Sequence, residues 1–294
     1  MSDNPRSTSF FLLGILALIW GTSFILIKQG LKVFAPDEVG SLRVASASLF
    51  LLPMAIVQLR SLKPGDYWKL FTSGMMGIFI PSFLFATAQT RMDSSVAGIL
   101  NTLTPLFTMI IGAIVFKQKF TGYAITGIIL GFAGTVLLSL SRSGGSVIGF
   151  NAFALLVVLA CLLYGSNLNF IKFNIPDLRA LTITSVSLML VGPFAFIYLF
   201  GFTDFAQKLV THEGSWKAFG FVMLLGLMST ALATILFNKL VKISTPMFAS
   251  SVTYLMPIVV VMWGVLDGEK LQTGHFIGMA AIIGGVYLAN RKRQ

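Results

Sequence analysis

The sequence predicts an all-α membrane protein with ten transmembrane helices in two inverted five-helix repeats. Composition is the first observation behind this prediction: 56% of the 294 residues are hydrophobic, 11% are charged, and the mean hydropathy is +0.88. Soluble domains carry charge on about a quarter of their residues. A chain this apolar is therefore not a soluble nucleic-acid-binding protein, despite its net charge of +11, and its single cysteine excludes an intrachain disulfide framework.

Ten stretches without Asp, Glu, Lys or Arg supply the ten predicted helices. A transmembrane helix needs about 20 apolar residues, and nine of the stretches reach that length; the second is interrupted by Arg43 and is long enough when extended back to Val39. Period-two alternation is absent, which favours helices over barrel strands. The stretches are 7–27, 44–59, 70–90, 94–116, 120–141, 143–171, 180–203, 218–238, 243–266 and 271–290.

Short motifs recur in the same order at a nearly constant spacing. The Trp-Gly-Thr sequence at 20–22 returns as Tyr-Gly-Ser at 164–166, which is 144 residues later. The Leu-x-Pro sequence at 103–105 returns at 255–257, which is 152 residues later. Common order and similar spacing make chance a poor explanation, so the motifs indicate an internal repeat.

We therefore expect a first five-helix repeat at 1–145 and a second at 146–294. Since five is odd, the second repeat enters the membrane from the opposite side. Inverted repeats are typical of transporters, which place their binding site near the midplane between the halves and work by alternating access. The alternative is a fused ancestral dimer whose symmetry serves folding only.

The distribution of Lys and Arg predicts the orientation. The side that holds both termini carries 13 of these residues and the other side carries 7, with Arg43 inside a predicted helix. Because positive charge is enriched on the cytoplasmic side, both termini should be cytoplasmic. Asp3, Asn4 and Pro5 precede the first apolar run, so we expect no cleavable signal peptide. Short loops without an N-x-[ST] sequon favour a bacterial inner (plasma) membrane.

Several of these motifs resemble one known family. The first helix carries Trp-Gly-Thr-Ser-Phe at 20–24, the second carries Arg43, and the fourth and ninth carry the Leu-x-Pro sequences. Gly-Glu-Lys-Leu follows the ninth helix at 268–271, whereas the first repeat reads Phe-Lys-Gln-Lys at 116–119 and lacks the acidic residue. With the two five-helix halves, this pattern resembles the drug/metabolite transporter superfamily, EamA type, over essentially the whole chain.

The resemblance implies a carrier of small metabolites, amino acids among them, often moved outward. The aromatic amino-acid exporter branch is the most similar functional analogue. The motifs themselves do not fix the substrate.

Polar and aromatic residues in the first and sixth helices are candidates for a substrate-binding cavity. They are Trp20 and Ser23 in one half, and Tyr164 and Asn167 in the other. Polar groups within a membrane need partners, and these groups could either bind a polar solute or join neighbouring helices. Because both halves place an aromatic residue at the same repeat position, we favour the cavity for Trp20 and Tyr164.

Pro105 and Pro257 predict kinks near the middle of the fourth and ninth helices, since proline removes a backbone donor. The functional hypothesis is that each bend opens the cavity and presents Asn101 and Tyr254 to a solute. The alternative is a kink without ligand contact.

Arg43 is the most deeply placed cation, and its repeat counterpart is Ile183. Intramembrane cations usually mark either a substrate pathway or a structural pair. One hypothesis pairs Arg43 with Glu38 or with helix C-terminal carbonyls. The other has Arg43 attract the carboxylate of a solute, and it is the reason for including Arg43 among the substrate-binding candidates.

All ten acidic residues fall in the N-terminal tail, in loops or at predicted helix ends. We therefore expect transport without an embedded proton-coupling carboxylate. No metal-ligand cluster, catalytic triad or phosphate loop is apparent, so we expect neither an enzyme nor a metal or other cofactor.

Neutral polar and aromatic side chains suit a small zwitterion, such as an aromatic or large neutral amino acid. We expect a monomer in the lipid bilayer whose partner is a small-molecule substrate, not nucleic acid. Alternatives are a carrier of sugar-phosphates, nucleotide-sugars or drugs, a non-transporting membrane regulator, and a passive channel.

Overall fold

The computed structural model describes residues 5–92, 94–142, 152–266 and 273–289. These residues form helices joined by short turns and contain no strand. Eight helices are long and apolar enough to cross a membrane, and two further apolar helices are shorter. The predicted all-helical fold of ten transmembrane helices is confirmed. The expected boundary at 145/146 and the Gly-Glu-Lys-Leu sequence at 268–271 lie outside the described residues.

The ten helices are numbered here as spans 1 to 10, in chain order. A short helix, Phe205–Thr211, connects span 7 to span 8. The first five spans are Pro5–Gly30, Pro36–Leu59, Pro64–Ala88, 94–114 and Gly122–Arg142. The second five are Ala154–Asn174, Ala180–Gly201, Ser215–Ile243, 246–266 and Thr273–Ala289.

Four spans contain irregular backbone, at related places in the two repeats. Span 3 has a π-helical segment at Met75–Phe79, and span 8 has one at Leu225–Leu232. Span 4 narrows to a 3₁₀ turn at Asn101–Leu103, and span 9 is interrupted at Ser251. Interruptions of this kind are frequent at functional sites, and inside a membrane they occur where the backbone is buried in protein or lines a cavity.

The two prolines relate differently to these interruptions. Pro105 begins the helix that follows the 3₁₀ turn, as expected for a residue that needs no backbone donor there. Pro257 instead lies inside the continuous helix Val252–Leu266, and the break in span 9 comes earlier, at Ser251. Hydroxyls explain that position: Ser251 donates to the Phe248 carbonyl at 2.6 Å and competes with the regular helix.

Helices of the two halves interlock. Span 1 packs against spans 8 and 9 of the second half, and span 6 packs against spans 3 and 4 of the first. Spans 2 and 7 form one pair across the halves, and spans 5 and 10 form another. This arrangement surrounds a central space with spans 1 to 4 and 6 to 9.

Spans 5 and 10 approach closely through small residues. A Cβ atom at Gly127 would lie 2.3 Å from the backbone nitrogen of Ala289 and 2.6 Å from the carbonyl oxygen of Gly285. Such contacts are typical of membrane helices that associate through glycine. These glycines therefore allow two helices of the same chain to pack closely.

The largest buried apolar cluster lies toward the end of the molecule where span 1 begins. Leu13 and Leu16 of span 1 pack there with Ile171 of span 6 and Leu240 of span 8. The outer surface is also apolar: on span 7, Phe194 and Ile197 are more than half exposed. Large exposed apolar side chains suit a surface that faces lipid.

Candidate functional site: a central cavity

A cavity of about 1000 Å³, including the part open to solvent, lies between the two halves. It is lined by spans 1, 2, 3, 4, 6, 7, 8 and 9. Its lining includes hydroxyl and amide side chains as well as aromatic and aliphatic ones. Such a lining can hold a solute with both polar and apolar parts.

Six of the seven predicted substrate-binding residues line this cavity. They are Trp20, Ser23, Arg43, Asn101, Tyr164 and Asn167. Tyr254 does not line it: its side chain is fully buried, and its hydroxyl donates to the Ile128 carbonyl of span 5 at 3.1 Å. Because that bond directs the ring away from the central space, Tyr254 joins spans 9 and 5 and is not a candidate for contact with a solute.

Trp20 connects the two halves beside the cavity. Its indole Nε1 donates to the carbonyl oxygen of Ser229, in the π-helical segment of span 8, at 2.8 Å. Its ring meets Phe237 edge to face, with centroids 4.8 Å apart. The Ser23 hydroxyl is satisfied within span 1, where it donates to the Trp20 carbonyl at 2.5 Å. Trp20 thus presents an aromatic surface whose polar end is already bonded.

Arg43 has one hydrogen bond, in which Nε donates to the Thr230 hydroxyl at 2.6 Å. Its expected partner Glu38 is engaged elsewhere: the carboxylate accepts from Lys208 at 2.9 Å and from the Ala35 backbone at 2.7 Å. The hypothesis that Arg43 pairs with Glu38 is therefore wrong. The terminal guanidinium nitrogens bond to no described residue. Among the described lining residues, only Arg43 carries a formal charge.

The Asn167 side chain forms no hydrogen bond with the residues that the structure describes. Its Oδ1 atom is buried without a partner, and its amide lies against Gly77 of the π-helical segment in span 3. A Cβ atom at Gly77 would come within 2.1 Å of Asn167 Nδ2, so glycine is what leaves room for the amide. One turn earlier on the same helix face, the Tyr164 ring stacks on Phe85 with centroids 6.1 Å apart.

Asn101 lies in the 3₁₀ turn of span 4 and touches three other side chains. Its Oδ1 accepts from the Thr104 hydroxyl at 3.3 Å and from the Cys161 thiol at 3.7 Å. Its Nδ2 lies 3.8 Å from the sulfur of Met256. These long contacts join spans 4, 6 and 9 and leave Asn101 at the cavity wall.

Sequence reasoning did not single out Gly77, Phe85, Ser229 or Phe237, although all four line the cavity. Gly77 and Ser229 are 152 residues apart, the spacing that relates the two Leu-x-Pro sequences. That spacing is the one signal that could have paired them. The extra residue of a π-helical turn breaks the 3.6-residue period, so periodicity alone could not show that they face inward.

Two lysines join spans 6 and 8 on the side of the molecule where span 1 begins. Lys172 Nζ donates to the Ser244 carbonyl at 2.7 Å and to two nearby carbonyls at 3.3 Å. In the other direction, Lys242 Nζ donates to the Pro176 carbonyl at 2.8 Å and to the Ile175 carbonyl. We call this reciprocal contact the lysine latch. Each ammonium meets the free carbonyls and negative dipole of the other helix's C-terminus.

On the opposite side, Lys28 takes no part in such a contact with the residues that the structure describes. Lys28 is the repeat counterpart of Lys172, 144 residues earlier, and lies at the other end of the inverted pair. Its side chain is exposed and forms no hydrogen bond with the described residues. The two ends of the molecule therefore differ although the repeats are related.

Comparison with known proteins identifies the family. The chain matches the EamA-like transporter family twice, over residues 8–140 and 151–291. An uncharacterized transporter of Archaeoglobus fulgidus is 25% identical over 285 residues, covering 97% of this chain and 99% of that protein. The uncharacterized inner membrane transporter YedA of Escherichia coli is 24% identical over 284 residues, covering 93% and 87%.

A further relative carries a more specific name. A Salmonella typhimurium protein called "Probable amino-acid metabolite efflux pump" is 25% identical over 288 residues, covering 95% of this chain and 93% of that protein. A solved crystal structure superimposes with a TM-score of 0.73 at 17% sequence identity, covering 97% of this chain and 96% of the other. At that identity the superposition shows the fold alone.

Proposed function

Because this multi-pass membrane protein belongs to the EamA-like transporter family, we propose that it exports aromatic or large neutral amino acids. The observation that carries the proposal is the guanidinium of Arg43, which is the one formal charge among the described lining residues and donates to a described residue only through Nε. Arginine offers a planar fork that fits a carboxylate. The name of the Salmonella relative supports both the substrate class and the outward direction.

The apolar part of the cavity suits the side chain of such a substrate. Two aromatic pairs lie in the wall. The rings of Phe85 and Tyr164 have centroids 6.1 Å apart, and those of Trp20 and Phe237 have centroids 4.8 Å apart. Aromatic surfaces of this kind bury large apolar side chains and prefer edge-to-face or offset contacts with other rings. Phenylalanine, tryptophan and leucine should therefore bind better than threonine.

The charge of the cavity argues against the competing substrates. A sugar-phosphate or nucleotide-sugar would call for several cations, and Arg43 is the one formally charged residue among the described lining residues. A cationic drug would call for a carboxylate, and the same lining residues include neither Asp nor Glu. For the same reason we propose gradient-driven transport or exchange without obligatory proton coupling.

The mechanism that we propose is alternating access by a monomer whose two termini face the cytoplasm. Its supporting observation is a difference between the ends of the inverted repeat: the lysine latch holds spans 6 and 8 together, while Lys28 bonds to none of the described residues. Inverted repeats exchange such roles when the cavity opens to the other side. The inner-membrane location is supported by the name of the YedA relative.

Counterflow in proteoliposomes tests this function. Vesicles loaded with unlabelled amino acids, without a proton gradient, receive trace labelled Phe, Trp, Leu or Thr outside. We expect a transient overshoot that is larger for Phe, Trp and Leu than for Thr. A pH-sensitive dye inside the same vesicles should show no proton movement proportional to flux.

Each other outcome contradicts part of the proposal. Absence of overshoot with folded protein and a working positive control would contradict amino-acid exchange. Overshoot with phosphorylated sugars or cationic drugs instead would identify the alternative carriers. Flux without counterflow would indicate a channel, binding without flux would indicate a regulator, and substrate-linked proton flux would contradict uncoupled transport.

A further inference from the structure

Among the described residues that line the cavity, two have a buried polar atom without a hydrogen-bond partner in the described part of the chain: Asn167 Oδ1 and Ser229 Oγ. Buried polar groups in native proteins are almost always bonded, and an unbonded one needs an explanation. Both residues line the space where a solute would bind. Both can accept hydrogen bonds, so they match a ligand group that donates.

The two residues that carry these atoms line the same cavity as Arg43. Thr230, which accepts from Arg43, directly follows Ser229 in the π-helical segment of span 8. Tyr164 also lines this cavity, and it lies one turn before Asn167 in span 6. Arg43, Asn167 and Ser229 therefore line one common space.

We infer that Asn167 determines specificity by accepting a hydrogen bond from the α-ammonium group of the substrate, while Arg43 binds its carboxylate. This inference rests on the proposed function and deepens it. No described lining residue is Asp or Glu, so an ammonium group in this cavity has only neutral acceptors to meet it. The amide oxygen of Asn167 is the strongest acceptor left unbonded, and the Ser229 hydroxyl supplements it.

Gly77 is a positioning residue in this arrangement. The Asn167 amide rests where a Cβ atom of Gly77 would be, 2.1 Å from Nδ2. The π-helical turn of span 3 brings this backbone against span 6. A methyl group at Gly77 would displace the amide without removing it.

The inference predicts discrimination between acids that share a side chain. An ammonium group makes a charge-assisted hydrogen bond with the amide oxygen, which a 2-hydroxy or 2-oxo group cannot match. The site should therefore prefer phenylalanine to 3-phenyllactate and phenylpyruvate by about tenfold or more. The preference should depend on Asn167, and affinity for the carboxylate should not.

The test is competition against labelled phenylalanine in the counterflow assay, with unlabelled phenylalanine and 3-phenyllactate as competitors. We expect Asn167→Leu to reduce the preference for phenylalanine to about threefold or less by weakening phenylalanine alone. Asn167→Asp keeps an acceptor oxygen and should retain the preference. Gly77→Ala should reduce it as Asn167→Leu does, since it moves the amide.

Ser166→Ala is the matched control. Ser166 neighbours Asn167 but donates to the Leu162 carbonyl at 2.8 Å and does not line the cavity, so its removal should leave the preference unchanged. Equal preference in the wild type and Asn167→Leu, or no preference in the wild type, overturns the inference while amino-acid transport stands. If the wild type exchanges no amino acid, it is the proposed function that fails. If Asn167→Leu does not fold, loss of the preference in Asn167→Asp overturns the inference.

Discussion

At the scale of single residues, Arg43 gives the cavity its chemistry. A cation inside a membrane is costly unless polar groups or an opposite charge meet it. Thr230 satisfies only its Nε atom, and the carboxylate of Glu38 is bound by Lys208. The related position in the second repeat, Ile183, also lines the cavity and is apolar. At this repeat position the cavity is therefore charged in the first half and apolar in the second, which suits an amphipathic solute.

Substitution of Arg43 should separate its binding role from a structural one. We expect Arg43→Gln to weaken competition by phenylalanine about tenfold or more, because the charge-assisted bond to the carboxylate is lost. Phenylalaninamide, which lacks the carboxylate, should compete equally well in both proteins. Arg43→Lys retains the charge without the planar fork, so competition by phenylalanine in this variant should be intermediate between the wild type and Arg43→Gln. A parallel loss for both competitors, in protein that elutes as a folded species, would assign Arg43 a structural role.

At the scale of the helices, spans 5 and 10 should determine stability and not specificity. Their contact lies outside the cavity and depends on glycine: a Cβ atom at Gly127 would meet the Ala289 backbone at 2.3 Å, which no flexible side chain can relieve. We expect Gly127→Leu to destabilise the protein by about 1–3 kcal/mol or more through overpacking. Thermal unfolding in detergent, followed by fluorescence, measures this.

Gly122 provides the control for that experiment. It begins the same span, and nothing lies within 4 Å of the position of its Cβ atom. Gly122→Leu should therefore unfold at the wild-type temperature. If the two variants behave alike, close packing at Gly127 is not what stabilises the pair. The folded fraction of Gly127→Leu should keep the wild-type order of substrates.

Sequence patterns anticipate the helices better than their irregular segments. Hydropathy and charge identify ten spans because lipid requires long apolar helices. The same patterns do not predict the π-helical turns at Met75–Phe79 and Leu225–Leu232. Side chains from other spans pack on both turns, Asn167 at Gly77 and Ser46 at Gly226, and hydropathy carries no information about such contacts. The break in span 9 falls at Ser251 and not at Pro257, because nearby hydroxyls bond to the backbone.

The candidate site is partly predictable for a related reason. Repeat symmetry and residue type bring Trp20, Tyr164 and Asn167 to the cavity, since a residue pair related by the repeat shares its orientation. Tyr254 does not reach the cavity, because the face of span 9 that it occupies packs on span 5. The partner of Arg43 could not be predicted, because Thr230 reaches it from a helix of the other half.

At the scale of the whole molecule, the lysine latch makes the two ends of an inverted repeat unequal. Spans 6 and 8 are joined by five lysine-to-carbonyl contacts where span 1 begins. Leu240 and Ile171 pack in the apolar cluster on the same side. Under alternating access, opening the cavity toward that side requires the latch to separate. Weakening it should therefore shift the population of states without touching the cavity.

The predicted shift can be measured through a cysteine placed in the cavity. Ser250 lines the cavity and follows Ser244 of the latch by six residues, so Ser250→Cys in a Cys161→Ser background reports access to a membrane-impermeant maleimide. Adding Lys172→Gln should speed labelling from the side that holds the N-terminus and slow it from the other. Lys239→Gln removes a charge from an exposed residue of span 8 outside the latch and should change neither rate. If Lys172→Gln also changes neither, or speeds both equally by loosening the fold, the latch does not hold that side closed.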